Sequence, residues 1–245
     1  MTLIMPMAGK GSRFSNWELP KPYIRILDKP LFFWAYSSLA NHYTFNRVIF
    51  IILEEHNLIH EAVKIISSHV VNPEIFSLQK VENGPARTLS KFIKKIPENE
   101  IIYITDCDQA FFEKNFIKTL NSQFKDNSVE AVISSIESTN HQHGFIQLDK
   151  HGNVLNCVEK RPVSSIAFGG VYAFKNKKVL EETLNELLLK TNPTSEIFLS
   201  DLIHLIIDSK KIVRNIRIQE HVSLGTPEEF NKNKTSNIFR KLLNK

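Results

Sequence analysis

The sequence predicts an α/β fold: a Rossmann-like, mixed but mostly parallel sheet flanked by helices, with a smaller β-rich layer in the second half. Three observations predict it. Apolar runs of strand length alternate with helical patterns over about residues 1–135. A glycine-rich loop follows the first of those runs directly. From about residue 136 to 245 the chain opens with short, closely spaced strands around a Lys150-His151-Gly152-Asn153 turn. The length of 245 residues suits one domain, 1–245, in these two halves, with room for a large core.

Taken in order, Thr2–Met7, Arg47–Leu53, Glu74–Ser77, Ile101–Thr105 and Val129–Ser135 read as strands, rich in Val, Ile and Leu with few polar breaks. Between them, Leu31–Leu39, Asn57–Ser68, Pro85–Ile96 and Asn115–Phe124 carry helical spacing. Pro30 and Pro85 stand near helix starts, where a missing N–H costs nothing. Such βαβα alternation implies parallel strands with helices on both faces, and ligands outside the carboxyl ends of the strands. Later, Phe145–Leu148, Val154–Val158 and Gly170–Phe174 read as short strands. Helices are expected over Lys177–Lys190 and over Glu196–Ser209, the latter capped by Thr194 or Ser195. A strand over Lys211–Ile218 and one closing helix over Pro227–Leu243 complete the reading.

Composition excludes several classes. Hydrophobic content of 42% and charged content of 23% are those of an ordinary globular domain. No run of about 18 apolar residues is present, so no membrane-spanning helix is expected. The first residues lack a charged leader and pass straight into the glycine loop, which fits a core strand and a cytoplasmic protein. Cys107 and Cys157 lack metal-ligand spacing and are expected to be reduced thiols. The net charge of +5 is scattered, and the densest basic stretch, Lys232 to Lys245, reads as a solvated helix face, so nucleic-acid binding is not expected. The oligomeric state is left open, with a homodimer as one option.

The loop Met5-Pro6-Met7-Ala8-Gly9-Lys10-Gly11-Ser12-Arg13-Phe14, followed by Leu19-Pro20-Lys21-Pro22, carries the most chemistry. Glycines let backbone N–H groups approach phosphate without a Cβ in the way, and consecutive amides form an anion-binding nest. Arg13 and Lys21 add fixed positive charge. No Gly-Lys-Ser/Thr run opens a helix, so this is not a P-loop. Phe14 is too bulky for the third glycine of a dinucleotide fingerprint.

Ile101–Thr105 runs into Asp106-Cys107-Asp108, two carboxylates just past a buried strand. Carboxylates there hold Mg²⁺ through one or two oxygens while phosphates complete the octahedron. The same three residues are a literal Asp-x-Asp, the metal motif of glycosyltransferases that use nucleotide sugars, and that is the rival reading. His141 and His143 flank Gln142 with no third ligand nearby and read as solvated loop residues.

Ala8-Gly9-x-Gly11-x-Arg13-Phe14, Pro20-Lys21-Pro22 and Lys29-Pro30-Leu31, with later matches at Gly84-Pro85-Ala86, Asp108, Glu159-Lys160 and Gly225-Thr226-Pro227-Glu228, resemble the sugar-phosphate nucleotidyltransferases. The similarity is greatest to short members from bacterial surface-polysaccharide clusters, phosphocholine-type cytidylyltransferases among them. The resemblance implies the GT-A-like nucleotidyltransferase fold, with residues 1–135 holding the nucleotide and 136–245 the acceptor. It implies transfer of a nucleoside monophosphate from an NTP, CTP before UTP, to a phosphorylated acceptor, for capsule or lipopolysaccharide precursor synthesis. Mg²⁺ would sit on Asp108, with Asp106 adjacent. Arg13 and Lys21 would be catalytic. Met7, Ala8, Gly9, Gly11 and Ser12 would bind nucleotide with Gln79, Gly84, Pro85 and Ala86. Gly144, Glu159 and Lys160 would bind the acceptor. Arg87 would reach phosphate or lie in solvent.

One departure stands out. Members of the family carry a second metal-binding Asp where this chain has Ser223, in His221-Val222-Ser223-Leu224-Gly225-Thr226-Pro227. Either Glu220 substitutes, or the cation rests on Asp108 and phosphates, or the acceptor class differs; a nucleotide-binding protein without turnover is the remaining alternative.

Overall fold

The computed structural model describes residues 1–244. The chain begins with β1 (Thr2–Pro6), the glycine loop with one-turn helices at Ser12–Phe14 and Lys21–Tyr23, and a small antiparallel pair, β2 (Arg25–Ile26) and β3 (Lys29–Pro30). There follow α1 (Leu31–Ala40), β4 (Arg47–Leu53), α2 (Glu54–His60), α3 (Ala62–Ser67), β5 (Glu74–Leu78), α4 (Pro85–Ser90) and β6 (Ile102–Thr105). The middle of the chain forms β7 (Gln109–Phe111), α5 (Phe116–Gln123), β8 (Val129–Glu137), β9 (Phe145–Leu148), β10 (Val154–Val158) and β11 (Ile166–Phe174). It ends with α6 (Lys177–Lys190), α7 (Leu199–Asp208), β12 (Ile212–Arg217), β13 (His221–Ser223), α8 (Pro227–Asn233) and α9 (Asn237–Leu243).

Nine strands make one mixed sheet in the order β10-β9-β11-β6-β1-β4-β5, with β8 and β12 branching from β11. β6, β1, β4 and β5 are mutually parallel, as are β8 and β12, whereas β11 runs antiparallel to β6, β8 and β9. The central strands are buried on both faces, which is why they read as unbroken apolar runs. Leu3, Met5, Phe50 and Tyr103 enter the core on one side of the sheet. Their neighbours Ile4, Ile49, Ile51 and Ile104 enter the core on the other. Each such side chain contributes about 1.5–3 kcal/mol by leaving water.

A third cluster matters for the site. Phe14, Trp34, Val222, Leu224, Phe230 and Phe239 pack together, with Trp17 set 5.2 Å from Phe14 and 5.0 Å from Phe230 between ring centres. This wedge holds the C-terminal helices against the glycine loop. β13 meanwhile pairs antiparallel with β7, Ser223 opposite Gln109, so the segment carrying Ser223 lies beside the Asp106–Asp108 turn.

Four expected helices are shorter or broken. The one over Pro85–Ile96 ends at Ser90, and a separate single turn follows at Ile93–Lys95. The single helix over Asn57–Ser68 is two, because Glu61 takes a left-handed turn (φ 51°) between α2 and α3. The closing helix splits into α8 and α9, with the Ser236 hydroxyl capping the second at Ile238 N–H. The helix expected from Glu196 starts at Leu199, and its cap is neither Thr194 nor Ser195: the Asp201 carboxylate accepts from Phe198 N–H at 2.7 Å. Among the described residues no helix is long and apolar enough to cross a membrane.

Candidate active site

A cleft of about 700 Å³ opens at the carboxyl ends of β1 and β6. Its first wall is the glycine loop. Met7 N–H bonds the Ile51 carbonyl at 2.7 Å, which fixes the loop to the sheet as it leaves β1. Gly9 has open space where a side chain would point, so its backbone is accessible to a ligand. Gly11 has a left-handed φ of 59°, and a Cβ there would touch the Lys21 side chain at 3.4 Å. That close approach brings the Pro20-Lys21-Pro22 turn under the loop.

Lys21 then reaches across to Asp108, Nζ to Oδ2 2.7 Å, in a pair that is largely buried. Burial alone pulls the ammonium towards neutrality, but the Asp108 carboxylate, with Cys107 and Asp106, holds its pKa well above the usual lysine value. Burial also disfavours charge on Asp108, and Lys21 outweighs it, so that carboxyl titrates low. Asp106 has no such partner; burial, followed by the Asp108 charge, pushes its pKa up to about 8. Two buried carboxylates thus share one ammonium. Burial pushes the Cys107 thiol up to about 12, so it is not a nucleophile.

The Asp106 turn is built from β11. Asp106 N–H bonds the Gly170 carbonyl at 3.0 Å, and Gly170 (φ 76°) leaves room for Gln109, whose amide would lie 2.3 Å from any Cβ there. Gln109 in turn bonds Thr105 Oγ1 and His221 Nε2.

The opposite wall belongs to β9–β11 and α7. The Ser200 hydroxyl donates to Glu159 Oε2 at 2.8 Å, and burial raises the Glu159 carboxyl above the usual range. A Cβ at Gly144 would sit 2.5 Å from that same oxygen, so a side chain at 144 would have to displace the Glu159 carboxylate. Lys160 adopts a left-handed φ of 53°, donates its N–H to the His143 carbonyl at 3.1 Å and rests its ammonium 4.6 Å over the Phe198 ring. Arg13 bridges the cleft mouth, donating to Gln142 Oε1 at 3.0 Å.

The cleft wall therefore holds Ala8, Gly9, Gly11, Ser12, Arg13 and Lys21 together with Gly84, Pro85, Asp106, Asp108, Gly144, Glu159 and Lys160. Met7 and Ala86 lie buried behind it. Gln79 does not reach it; it is exposed beyond the end of β5. Arg87 is neither free in solvent nor near the cleft floor: it donates to the Ser195 and Asn192 carbonyls, at 3.1 and 2.6 Å, clipping the 192–198 segment to α4. Glu220 is no substitute for the missing Asp, since it lies outside the cleft and accepts from Lys241 at 2.7 Å.

His143 and Glu229 carry a bridge that the sequence reading missed. His143 is half-buried, not solvated; its Nδ1 bonds Ser138 Oγ at 2.9 Å and its Nε2 meets Glu229 Oε1 at 3.2 Å. Glu229 also accepts from Asn140 Nδ2 at 2.7 Å and Gly225 N–H at 3.1 Å. Thr226 Oγ1 accepts from Glu229 N–H at 3.2 Å, so Thr226 is the N-cap of α8, a signal visible in the sequence as a threonine just before Pro227. Gly225 separates Glu229 from Asp108, with carboxylate oxygens of both within 3.4 Å of where its Cβ would be. Glu229→Ala would orphan three donors and is expected to lower stability by about 2–3 kcal/mol, read as a lower urea midpoint at unchanged slope. Burial opposes the Glu229 charge, but His143, Asn140 and Gly225 overcome it and depress its pKa. Its contribution is thus complete above the ordinary carboxylate range and lost as pH falls through that depressed value.

Among the described residues no three His, Cys, Asp or Glu side chains converge as a ready metal cage. The donor set still fits a hard divalent cation: Asp106 and Asp108 offer carboxylate oxygens with Lys21 as their one directly bonded cation, and waters and phosphates would complete the coordination. Fold and cleft together define an α/β protein with cationic side chains and paired carboxylates at the carboxyl edge of parallel strands.

A family model described as Nucleotidyl transferase matches residues 2–234, and the chain belongs to that family. It is 23% identical over 228 residues to the bifunctional protein GlmU of Carboxydothermus hydrogenoformans, covering 90% of this chain and 48% of that protein. It is 28% identical over 137 residues to the 2-C-methyl-D-erythritol 4-phosphate cytidylyltransferase of Fusobacterium nucleatum, covering 54% of this chain and 56% of that one. The chain spans about half the length of the curated relatives it matches. The inositol-1-phosphate CTP transferase of T. maritima shares the fold, with a TM-score of 0.79 at 18% identity over 98% of this chain and 95% of that one. So does the nucleoside-diphosphate-sugar pyrophosphorylase of Vibrio cholerae RC9, at 0.76 and 21% over 94% and 98%.

Proposed function

We propose that the protein is a Mg²⁺-dependent nucleotidyltransferase that moves a nucleoside monophosphate from an NTP, CTP before UTP, to a phosphorylated acceptor and releases pyrophosphate. The observation that carries this reading is the buried Lys21–Asp108 pair beside Asp106, facing the glycine loop across one cleft. Residues 1–135 would hold the nucleotide and 136–245 the acceptor. Family membership supports the class and weighs against a glycosyltransferase acting through Asp106-Cys107-Asp108. The preference for CTP draws on the resemblance to cytidylyltransferases, and two proteins similar to this chain bear cytidylyl or CTP in their names.

In this reading the backbone from Ala8 to Ser12 cradles the triphosphate. Arg13 leaves Gln142 to hold the departing pyrophosphate, and Lys21 balances the charge that builds around the α-phosphorus. Lys160 leaves Phe198 to orient the acceptor phosphate, one of whose oxygens attacks in line, while Glu159 and Gly144 shape the site for the acceptor body. That oxygen is already ionised near neutral pH, so no general base is required. Mg²⁺ held by Asp108 and Asp106 would supply further neutralisation of the polyphosphate. The acceptor would be a sugar phosphate or a phosphocholine-like or other phosphorylated amino compound, made for capsule or lipopolysaccharide synthesis in the cytoplasm.

Pyrophosphate release with Mg²⁺ over five NTPs and a panel of phosphorylated acceptors tests this. The expected result is turnover with one NTP and one acceptor, abolished by EDTA and lowered at least about 100-fold in Arg13→Ala. Near-normal turnover in that variant would overturn the role of Arg13. Silence with every pair, joined to turnover of UDP- or GDP-sugars, would overturn the class of reaction.

A further inference from the structure

Resting on the nucleotidyltransferase reading, the base would lie in the part of the cleft walled by Val81, Glu82, Gly84 and Pro85, beside Ala8 and Gly9. A polar inventory of that wall narrows what it can recognise. The Thr88 hydroxyl donates to the Gly84 carbonyl, and Gly84 N–H is bonded to the Glu82 carbonyl. Ala86 N–H is bonded to the Ile197 carbonyl, and the Asn83 amide nitrogen donates to the Thr194 carbonyl. Gln79, which could have offered both a donor and an acceptor, stands outside. Glu82 is left. Its side chain is only 26% exposed, one oxygen lies 3.4 Å from Lys91 Nζ, and the other has no hydrogen-bond partner among the described residues.

We propose that Glu82 reads the nucleobase, accepting from the exocyclic amine of cytosine and discriminating against uracil. A carboxylate has lone pairs and no proton to offer. It pairs with the amine of cytosine and repels the carbonyl oxygen that uracil carries at the same position. A matched pair of this kind is worth about 1–3 kcal/mol of discrimination, and a polar group left facing the wrong edge adds to the penalty. Lys91, itself half exposed, lies near one carboxylate oxygen and leaves the second free.

Equilibrium titration of CTP and UTP with Mg²⁺ and no acceptor, by calorimetry, reads this without any turnover. The wild type is expected to bind CTP at least about fivefold more tightly than UTP, the lower end of that range. Glu82→Gln, whose amide can accept from cytosine or donate to uracil, is expected to bring the two within about threefold. Glu82→Ala should lose the CTP advantage as well, with the thermal melt reporting that both variants stay folded. Equal affinities in the wild type, or a CTP advantage retained in both variants, overturns the role of Glu82 while leaving the nucleotidyltransferase reading intact. A folded wild-type protein that binds neither nucleotide overturns both.

Discussion

Lys21→Ala is expected to lower kcat by about 10²–10³ while the protein remains folded. Lys21 is the one cation of the cleft that lies beneath the glycine loop in a buried pair; Lys10, Arg13 and Lys160 are exposed. A charge held in place before the reaction stabilises the transition state without reorganising, and its value rises as water is excluded. The loss should fall on kcat, with the half-saturating Mg²⁺ concentration not increased, because removing the ammonium leaves Asp106 and Asp108 more negative. Asp108→Asn should do the reverse to the metal dependence, raising the Mg²⁺ requirement, and would leave a buried lysine without its partner. Lys21→Arg should rescue only in part, since a planar guanidinium does not reproduce the compact point charge that Lys21 sets 2.7 Å from Asp108. Turnover of Lys21→Ala within about threefold of the wild type would remove Lys21 from the chemistry.

Gly84→Ala is the substitution with the largest expected effect on stability. Gly84 has φ 99°, a region that costs L residues about 1–3 kcal/mol. A Cβ there would lie 2.2 Å from the Ile197 carbonyl oxygen and 2.7 Å from its nitrogen. Backbone atoms cannot swing away as a side-chain end can, so the whole contact must open. That contact carries two backbone hydrogen bonds, Ile197 N–H to Asn83 and Ala86 N–H to Ile197, and ties the 192–198 segment to the start of α4. A loss of at least about 3 kcal/mol is expected, which for a chain of this size lowers Tm by about 6–12 °C. A melt within about 2 °C of the wild type would mean that the segment is not clamped as described.

Much of the fold was legible because periodicity is local. Arg47–Leu53, Phe145–Leu148, Val154–Val158 and Lys177–Lys190 fall where the pattern puts them. Short apolar runs rich in β-branched residues suit a sheet covered on both faces. The breaks within helices were harder: nothing in the Asn57–Ser68 pattern announces that Glu61 turns left-handed, because Glu is a good helix former. The short pairing of β7 with β13 joins residues 109–111 to 221–223, and no local signal specifies a contact so distant in sequence.

The same division runs through the site. By itself the sequence determined the glycine loop, the Asp106–Asp108 turn at a strand end, the Glu159-Lys160 pair and the absence of Asp at position 223, because each is a matter of residue type and short spacing. Only the tertiary structure decided what those residues face. It set Lys21 on Asp108, took Gln79 and Glu220 out of the cleft, turned Arg87 into a clip on two carbonyls and made His143 a partner of Glu229. The physical reason is that a side chain's charge and hydrogen bonds depend on burial and on its neighbours in space, and the fold brings those neighbours from 86 to 108 residues away.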